Sequence, residues 1–331
     1  MDVLTDILRS LRLAGGVYFR CEFRAPWGMG IGPQPVAEFH VVVRGSCWLR
    51  LPGQPAPIPL HGGDLAVFLR GDPHELIDAP ESEAIPAEKL LADQDLEGYG
   101  PVAHGGGGAL TTILCGYFKF DRDTRHPLLA ALPPFILIRG ADSHDFSGLK
   151  TTLDLMLQET KAGRPGAEAV VDRLAEALFI LMLRAYIQQS PAPPGMLAAL
   201  TDRQIAAALA HLHRAPEQSW TLVSLAARVG MSRSALAARF KQLVGQPPME
   251  YLTLWRMQKA RELLAETRLS TAVVAEKVGY RSEAAFGKVF KKITGIGPGA
   301  FRRQEGTPVA MVHKGRSASR STRSRSAQGD S

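Results

Sequence analysis

Apolar positions in the first third of the chain recur with the short period of β-strands. Between residues 17 and 120, apolar or alternating runs are separated by breaks rich in Gly and Pro, such as WGMGIGPQP and HGGGG. A period of two with such breaks predicts strands. The predicted strands are VYFRCEF, VAEFHVVV, SCWLRL, DLAVFL and LTTILCGYFKF. Many short strands at this spacing predict a sandwich or a barrel.

From about residue 143 the apolar positions follow the period of helices. The segments SGLKTTLDLMLQET and GAEAVVDRLAEALFILMLRAYI predict two helices joined by AGRPG. The second helix is apolar nearly all round and must be buried, either on the β-rich region or against a second copy of the chain. SPAPPG at 190–195 is typical of a linker. After residue 304 a Ser/Arg-rich tail lacks the apolar residues that a core requires.

An internal repeat marks residues 201–303. The stretch AARVG at 226–230 recurs as AEKVG at 275–279. Each final Gly can adopt the left-handed conformation that ends a helix, and Ser232 or Ser282 can cap the helix that follows. Apolar residues four apart then face inward on that second helix. The repeat predicts two helix-turn-helix units, each with an outer helix face that can enter a major groove.

A further helix is predicted between the two units. The segment MEYLTLWRMQKARELLAET follows Pro248, a residue suited to a first helical turn. Seventeen helical residues span roughly 25 Å. Such a helix can hold two recognition helices near the spacing of one DNA turn, about 34 Å.

Charge is distributed unevenly along the chain. Residues 201–304 carry 17 Lys/Arg against seven Asp/Glu, whereas residues 1–200 carry 17 against 23. A basic half of this kind suggests a polyanion partner, with a solvated basic surface as the alternative. No apolar run is long enough to span a bilayer, no secretory signal is visible, and three cysteines make no disulfide framework. A cytoplasmic location without a membrane partner is therefore expected.

Residues 201–303 resemble the DNA-binding domain of the AraC/XylS family through WTLVSLAARVGMSRSALAARFKQLVG, YLTLWRMQKARELL and VAEKVGYRSEAAFGKVFKKITGIGPGAFR. The resemblance implies a sequence-specific transcription regulator that binds double-stranded DNA and works with RNA polymerase. It also implies which residues line the groove-facing sides of the two recognition helices: Arg233, Ser234, Ala237 and Ala238 in the first, and Arg281, Glu283, Ala284, Gly287 and Lys288 in the second.

Lys288 occupies a position that is usually basic and base-contacting in the family, and it can donate to guanine O6 or N7. Ala237 and Ala238 can only pack on thymine methyls or leave room, so the first helix departs from relatives with more polar residues there. We expect a second set of basic residues to contact phosphates, with a solvated basic face as the alternative; these are Arg239, Lys241, Lys291 and Lys292.

The N-terminal region resembles the cupin-type sensor heads of some AraC-family regulators. GGDLAVFLRGDPHELID is similar to the second cupin motif, with His74 at its histidine position, and Glu38 matches the end of the first motif. The two histidines that should precede Glu38 are absent, and His40 is out of register with the motif. Glu38 and His74 are the remaining candidate metal ligands, and no cofactor is predicted. The resemblance implies that the head receives a signal.

The cysteines support two interpretations. Cys21, Cys47 and Cys115 share strand parity with apolar neighbours, which favours buried, inert thiols. Alternatively, Cys21 and Cys115 sense an oxidant by forming a disulfide or a sulfenic acid, with the nearby Arg20 and Arg24 able to depress the pKa of Cys21. The predicted signal is accordingly an unidentified small molecule or an oxidant.

The predicted architecture is multidomain α+β. A cupin-like β-barrel with trailing helices, which serves sensing and dimerisation, occupies residues 1–190, and a linker occupies 191–200. An all-α domain with two helix-turn-helix units occupies 201–303, and a disordered tail occupies 304–331. The favoured function is a non-enzymatic regulator that can form a homodimer. The alternatives are a cupin metalloenzyme with an attached DNA-binding domain, and a non-specific nucleic-acid scaffold.

Overall fold

The computed structural model describes residues 3–92, 94, 99–120, 126–140, 147–190 and 193–305. These residues form two compact units, one ending at Trp255 and the other beginning at Arg256. The first unit contains the β-rich region and the first helix-turn-helix, and the second unit contains the other helix-turn-helix. The predicted tail beyond residue 305 lies outside the described residues, as do residues 191 and 192 of the predicted linker.

Two β-sheets follow the first helix, α1 (Val3–Ser10). The six-stranded sheet contains, from edge to edge, β11 (Phe135–Ile138), β6 (Leu65–Phe68), β3 (Ala37–Arg44), β10 (Leu110–Lys119), β1 (Ala14–Arg24) and β9 (Val102–Gly105). The five-stranded sheet contains β5 (Ile58–His61), β4 (Ser46–Arg50), β7 (His74–Ile77), β2 (Gly28–Ile31) and β8 (Ile85–Pro86). Two short helices, α2 (Ala87–Leu91) and α3 (Pro127–Ala131), lie in the connections.

The two sheets do not close into the predicted barrel. The strands β3 and β4 are separated only by Gly45, which has a φ of 83°, yet they belong to different sheets. Side chains from both sheets form one core, including Phe23 and Val42 from the larger sheet and Leu49 and Leu76 from the smaller one. Because each strand bonds only within its own sheet, the fold is two packed layers rather than one continuous hydrogen-bonded cylinder.

The apolar helix predicted near residue 180 is buried inside its own chain. It forms α5 (Ala167–Gln189), which follows α4 (Ser147–Ala162) and packs on β1, β10 and β11. Phe179 of α5 meets Phe118 of β10 edge-on, with ring centroids 5.2 Å apart. Of the two partners that the sequence allows for this helix, the β-rich region is the one observed.

The remaining helices follow in sequence and build the two helix-turn-helix units. The first unit has α6 (Met196–Thr201), α7 (Arg203–Arg214), α8 (Leu222–Arg228) and α9 (Arg233–Val244). Next comes α10 (Pro248–Glu266), and the second unit has α11 (Thr271–Lys277), α12 (Glu283–Thr294) and α13 (Pro298–Glu305). Most of α6 falls in the predicted linker 191–200, and its side chains Met196, Leu197 and Ala199 are buried. Within the described residues, no helix has the length and apolar character needed to cross a membrane.

Candidate functional site

The first helix-turn-helix is fixed by the local chemistry of its turn. Thr221 and Ser224 form a capping box at the start of α8. Gly230 then takes a φ of 67°, in the left-handed region where a Cβ would be strained. The Ser232 hydroxyl accepts from the backbone N–H of Ala235 at 3.2 Å and so begins α9. These bonds confirm the turn that the sequence predicts.

The helix α9 presents two different faces. Leu236, Phe240 and Val244 are buried, and they belong to the same core as Leu225 of α8. The predicted groove-facing residues lie on the other side. Arg233, Ser234 and Ala238 are exposed, and Ala237 is half-buried. The structure therefore leaves the face of α9 that would enter a groove open to solvent.

The second helix-turn-helix repeats this arrangement in its own unit. Ser270 caps α11, Gly279 has a φ of 83°, and the Ser282 hydroxyl accepts from the backbone N–H of Ala285 at 3.3 Å. Phe286 is buried, as is Phe290. Four of the predicted groove-facing residues are exposed and Gly287 is half-buried; the exposed four are Arg281, Glu283, Ala284 and Lys288.

Most of the basic side chains on the two recognition helices are available to phosphates. In the described part of the chain, no ion pair involves Arg233, Lys241 or four residues of the second unit, namely Arg281, Lys288, Lys291 and Lys292. Arg239 differs, because its Nε lies 3.0 Å from the carboxylate of Asp202. A phosphate would have to compete with that carboxylate for Arg239.

A second cluster of functional groups lies in the interior of the head. Glu38 and His40 extend from the same face of β3, and His74 begins β7 of the opposite sheet. All three are buried, and one ligand atom from each lies within 4.8 Å of the others. The two imidazoles meet through their Nε2 atoms, 2.7 Å apart. The structure thus adds His40 to the two candidate ligands found by motif.

His40 does not stand at a histidine position of the cupin motif, so the motif did not predict it as a ligand. The alternation of β3 was the signal that could have found it, since residues two apart on a strand share a face. Val42 continues that face into the core between the sheets. A carboxylate at position 38 and an imidazole at position 40 must therefore project to the same side.

Burial changes the protonation of this cluster. Loss of solvent lowers the pKa of His74 to about 4, against the opposing hydrogen bond to the Asp72 carbonyl. Burial and the neighbouring His74 lower the pKa of His40 well below its usual value. Burial also raises the pKa of Glu38 to about 7. At neutral pH both imidazoles are uncharged.

One of the three thiols lies beside the buried histidines. Cys21, Cys47 and Cys115 are buried and carry free thiols. The Sγ of Cys115 is 3.2 Å from Nδ1 of His40. A hydrogen bond with Cys21, together with burial, raises the pKa of the Cys115 thiol well above its usual value. The predicted pair Cys21 and Cys115 lies on two paired strands of one sheet, where Cys115 is opposite Phe19 and Cys21 is opposite Ile113.

A cavity of about 550 Å³ reaches the same region. Its lining combines backbone of β2 and the β4–β5 turn with polar side chains, including Arg50, His74, Glu75 and Glu88. Arg50 is held by Glu75 at 2.6 Å and by the Pro80 carbonyl at 2.7 Å. The ionisable side chains and backbone groups of this cavity could hydrogen-bond a small polar molecule.

Known protein families match both the N-terminal and the C-terminal part of the chain. A cupin family model matches residues 2–188, and a helix-turn-helix domain model matches residues 225–304. An AraC-like transcription regulator of Streptomyces lividans is 33% identical over 93% of this chain and 100% of its own length. The chain therefore belongs to the AraC-like transcription regulators that carry an N-terminal cupin domain.

Two further similarities cover very different shares of the chain. The RCS-specific HTH-type transcriptional activator RclR of Escherichia coli is 25% identical over 92% of this chain and 98% of its own. A solved AraC-type transcriptional regulator from Chromobacterium violaceum is 27% identical and covers 33% of this chain and 98% of its own, with a TM-score of 0.32.

Proposed function

We propose that this chain is a sequence-specific DNA-binding transcription regulator whose two recognition helices, α9 and α12, enter major grooves of one duplex. The single observation that supports this most is the repeated turn, which in each unit leaves one helix with a buried apolar face and an exposed basic or small-residue face. A helix of that kind fits the major groove by its width and by its donor groups.

The two helices contribute differently in this proposal. Lys288 and Arg281 of the second unit donate to base edges, whereas Ala237 and Ala238 of the first allow close approach or contact thymine methyls. Lys241, Lys291 and Lys292 neutralise phosphates, which gives affinity without sequence information. Sequence preference should then be stronger in the half-site bound by α12.

Selection from a random duplex library at physiological salt, about 0.15 M, tests the proposal. We expect one enriched sequence, and nuclease footprinting should show a discrete protected region on it. Uniform protection with no enriched sequence would instead support a non-specific scaffold, because such binding depends on phosphates alone. Lys161→Ala removes an exposed lysine of α4, outside the recognition helices. It is the control variant for lysine substitutions within those helices.

The head receives the signal in this proposal and is assigned no catalysis. Relatives that span nearly the whole chain are named as regulators, and a cavity reaches the buried histidine His74. Turnover of candidate cupin substrates by the purified chain would contradict this assignment. The regulator acts in the cytoplasm, together with RNA polymerase.

An oxidant is the signal that the thiol pair favours. RclR is named for a response to RCS, and here Cys21 and Cys115 lie on two paired strands of one sheet. A hypohalous acid would convert one thiol to a sulfenyl halide and release water. The second thiol would then displace halide and lose its proton, which gives a disulfide.

A Cys21→Ser/Cys115→Ser variant should lose the reporter response to hypochlorite, and Cys47→Ser should keep it. A wild-type response in the double variant would exclude thiol sensing.

A further inference from the structure

Three ligand atoms from two different sheets converge in the interior of the head. We propose that Glu38, His40 and His74 bind one divalent transition-metal ion of the zinc class. The three residues come from β3 and β7, so the ion would tie the two sheets together. The proposal concerns metal binding only, and it stands whether or not the DNA-binding assignment holds.

The distances suit a site that opens slightly on binding. The two Nε2 atoms are 2.7 Å apart, and one oxygen of Glu38 lies within 4.8 Å of both. Ligand atoms around a tetrahedral zinc, each about 2.0–2.1 Å from the metal, are about 3.3 Å apart. The two rings would therefore separate by roughly half an ångström, and the carboxylate would approach.

The hydrogen bonds of the two rings show how each would present a lone pair. Nδ1 of His74 lies 2.8 Å from the Asp72 carbonyl, which can only accept, so Nδ1 carries the proton. Nε2 of His74 is then unprotonated, so its lone pair can accept a hydrogen bond or bind a metal. This outer bond to a backbone carbonyl is the arrangement that orients metal-binding histidines.

His40 can adopt the same form by moving one proton. Its Nε2 must donate to His74 in the metal-free chain, so its Nδ1 accepts from the Cys115 thiol at 3.2 Å. With a metal on Nε2, the ring proton sits on Nδ1 and points at the Cys115 sulfur. Cys115 thus serves as a partner in either state, and no ring nitrogen is left unpaired.

Glu38 supplies an independent observation. Its Oε2 atom is buried and has no hydrogen-bond partner among the described residues. A buried carboxylate oxygen without a partner is unfavourable, and a bound ion or water is one explanation for such a group in a native protein. A cation held jointly with the two imidazoles would satisfy this oxygen.

The donor set selects the class of metal. Two imidazoles and one carboxylate suit Zn²⁺, and also Fe²⁺, Ni²⁺ or Cu²⁺, better than Ca²⁺ or Mg²⁺, which prefer oxygen alone. Three protein ligands leave a further coordination position. His74 also lines the 550 Å³ cavity, so water or a small molecule from that cavity could complete the coordination.

Metal analysis of the untagged full chain tests the proposal. After equilibration with ZnCl2 and removal of the excess, we expect about one zinc per chain in the wild type. Glu38→Gln and His74→Ala should reduce this at least tenfold. His61→Ala replaces an exposed histidine in the same domain and should retain full stoichiometry. Unchanged zinc in both site variants would overturn the proposal.

A second measurement on the wild type avoids the risk that a variant misfolds. ZnCl2 or CoCl2 should raise its melting temperature by several degrees through preferential binding to the folded state, and Co²⁺ should show visible absorption bands of a low-symmetry site. His61→Ala should show the same shift. If neither metal changes the melting temperature and no zinc is retained, the cluster is a hydrogen-bonded core group and the proposal fails.

Discussion

Nε2 of His213 lies 2.6 Å from the hydroxyl oxygen of Tyr251, in the interior of the first unit. This bond joins α7 to α10, and Nδ1 of the same ring lies 3.6 Å from the Asp6 carboxylate of α1. The His213 ring also stacks on Trp255, with centroids 3.8 Å apart. A single imidazole therefore connects the first helix of the sensor head to two helices of the DNA-binding region.

Tyr251→Phe should weaken this connection without creating a cavity. Tyr251 is 2% exposed, and loss of its hydroxyl removes one buried hydrogen bond. We expect the free energy of unfolding to fall by about 1–2 kcal/mol, measured by urea denaturation. Tyr18→Phe, at a site with 39% exposure, should change it by less than about 0.5 kcal/mol. Equal effects of the two substitutions would argue against a stabilising His213–Tyr251 bond.

Lys288→Ala should lower specific affinity by roughly 1–3 kcal/mol and relax preference at one base pair. The reason is the loss of a donor to a base edge in the groove. Affinity for the selected duplex and for its single-base variants would be measured by fluorescence anisotropy. An unchanged affinity and sequence profile would remove Lys288 from the recognition set, whereas Lys161→Ala should leave both unchanged.

Lys291→Ala/Lys292→Ala should affect affinity in a different manner. Both side chains are exposed, and we expect them to neutralise phosphates. Binding should weaken by a similar factor on selected and random duplexes, and the slope of log K against log salt should become shallower by about 1 per residue. A loss restricted to the selected duplex would show that these lysines contact bases instead.

His126 should make the first unit less stable in mild acid. Burial lowers its pKa to about 4, and its Nδ1 accepts from the backbone N–H of Leu128 at the start of α3. Below about pH 6.5 the unfolded chain binds a proton that the folded chain does not, so stability falls as the pH falls toward 4. The loss from this group is about 1 kcal/mol per pH unit.

His126→Asn isolates that contribution, because Asn can still cap α3 but does not titrate. Urea denaturation of both proteins at pH 7, 6 and 5 provides the comparison. The wild type should lose about 1 kcal/mol more than the variant between pH 6 and pH 5. Parallel pH profiles would show that the pKa of His126 is not lowered in the folded chain.

The recognition helices could be predicted from sequence because their signals are local. Gly230, Ser232 and their counterparts specify a turn and a cap within a few residues, and the structure confirms both turns. The groove-facing roles of particular residues stay a prediction. They depend on the DNA rather than on the chain.

The sheets were predictable only in part. The strand β2 (Gly28–Ile31) lies in a Gly-rich stretch that resembles a break, and it exists because it pairs with β7 far along the chain. The barrel prediction was wrong for a related reason, since closure depends on which distant strands bond. His40 was likewise missed, because its closeness to His74 arises from the contact between two sheets.

The burial of α5 on the larger sheet bears on how self-association should be studied. Eight side chains of this helix are buried within the protomer itself, Phe179 among them. Polar substitutions along its apolar side will therefore unfold the head before they can report on assembly. A screen for variants that no longer self-associate needs exposed positions, where a loss of self-association can be separated from a loss of folding. Leu155 with 43% exposure and Val170 with 44% exposure are two such positions.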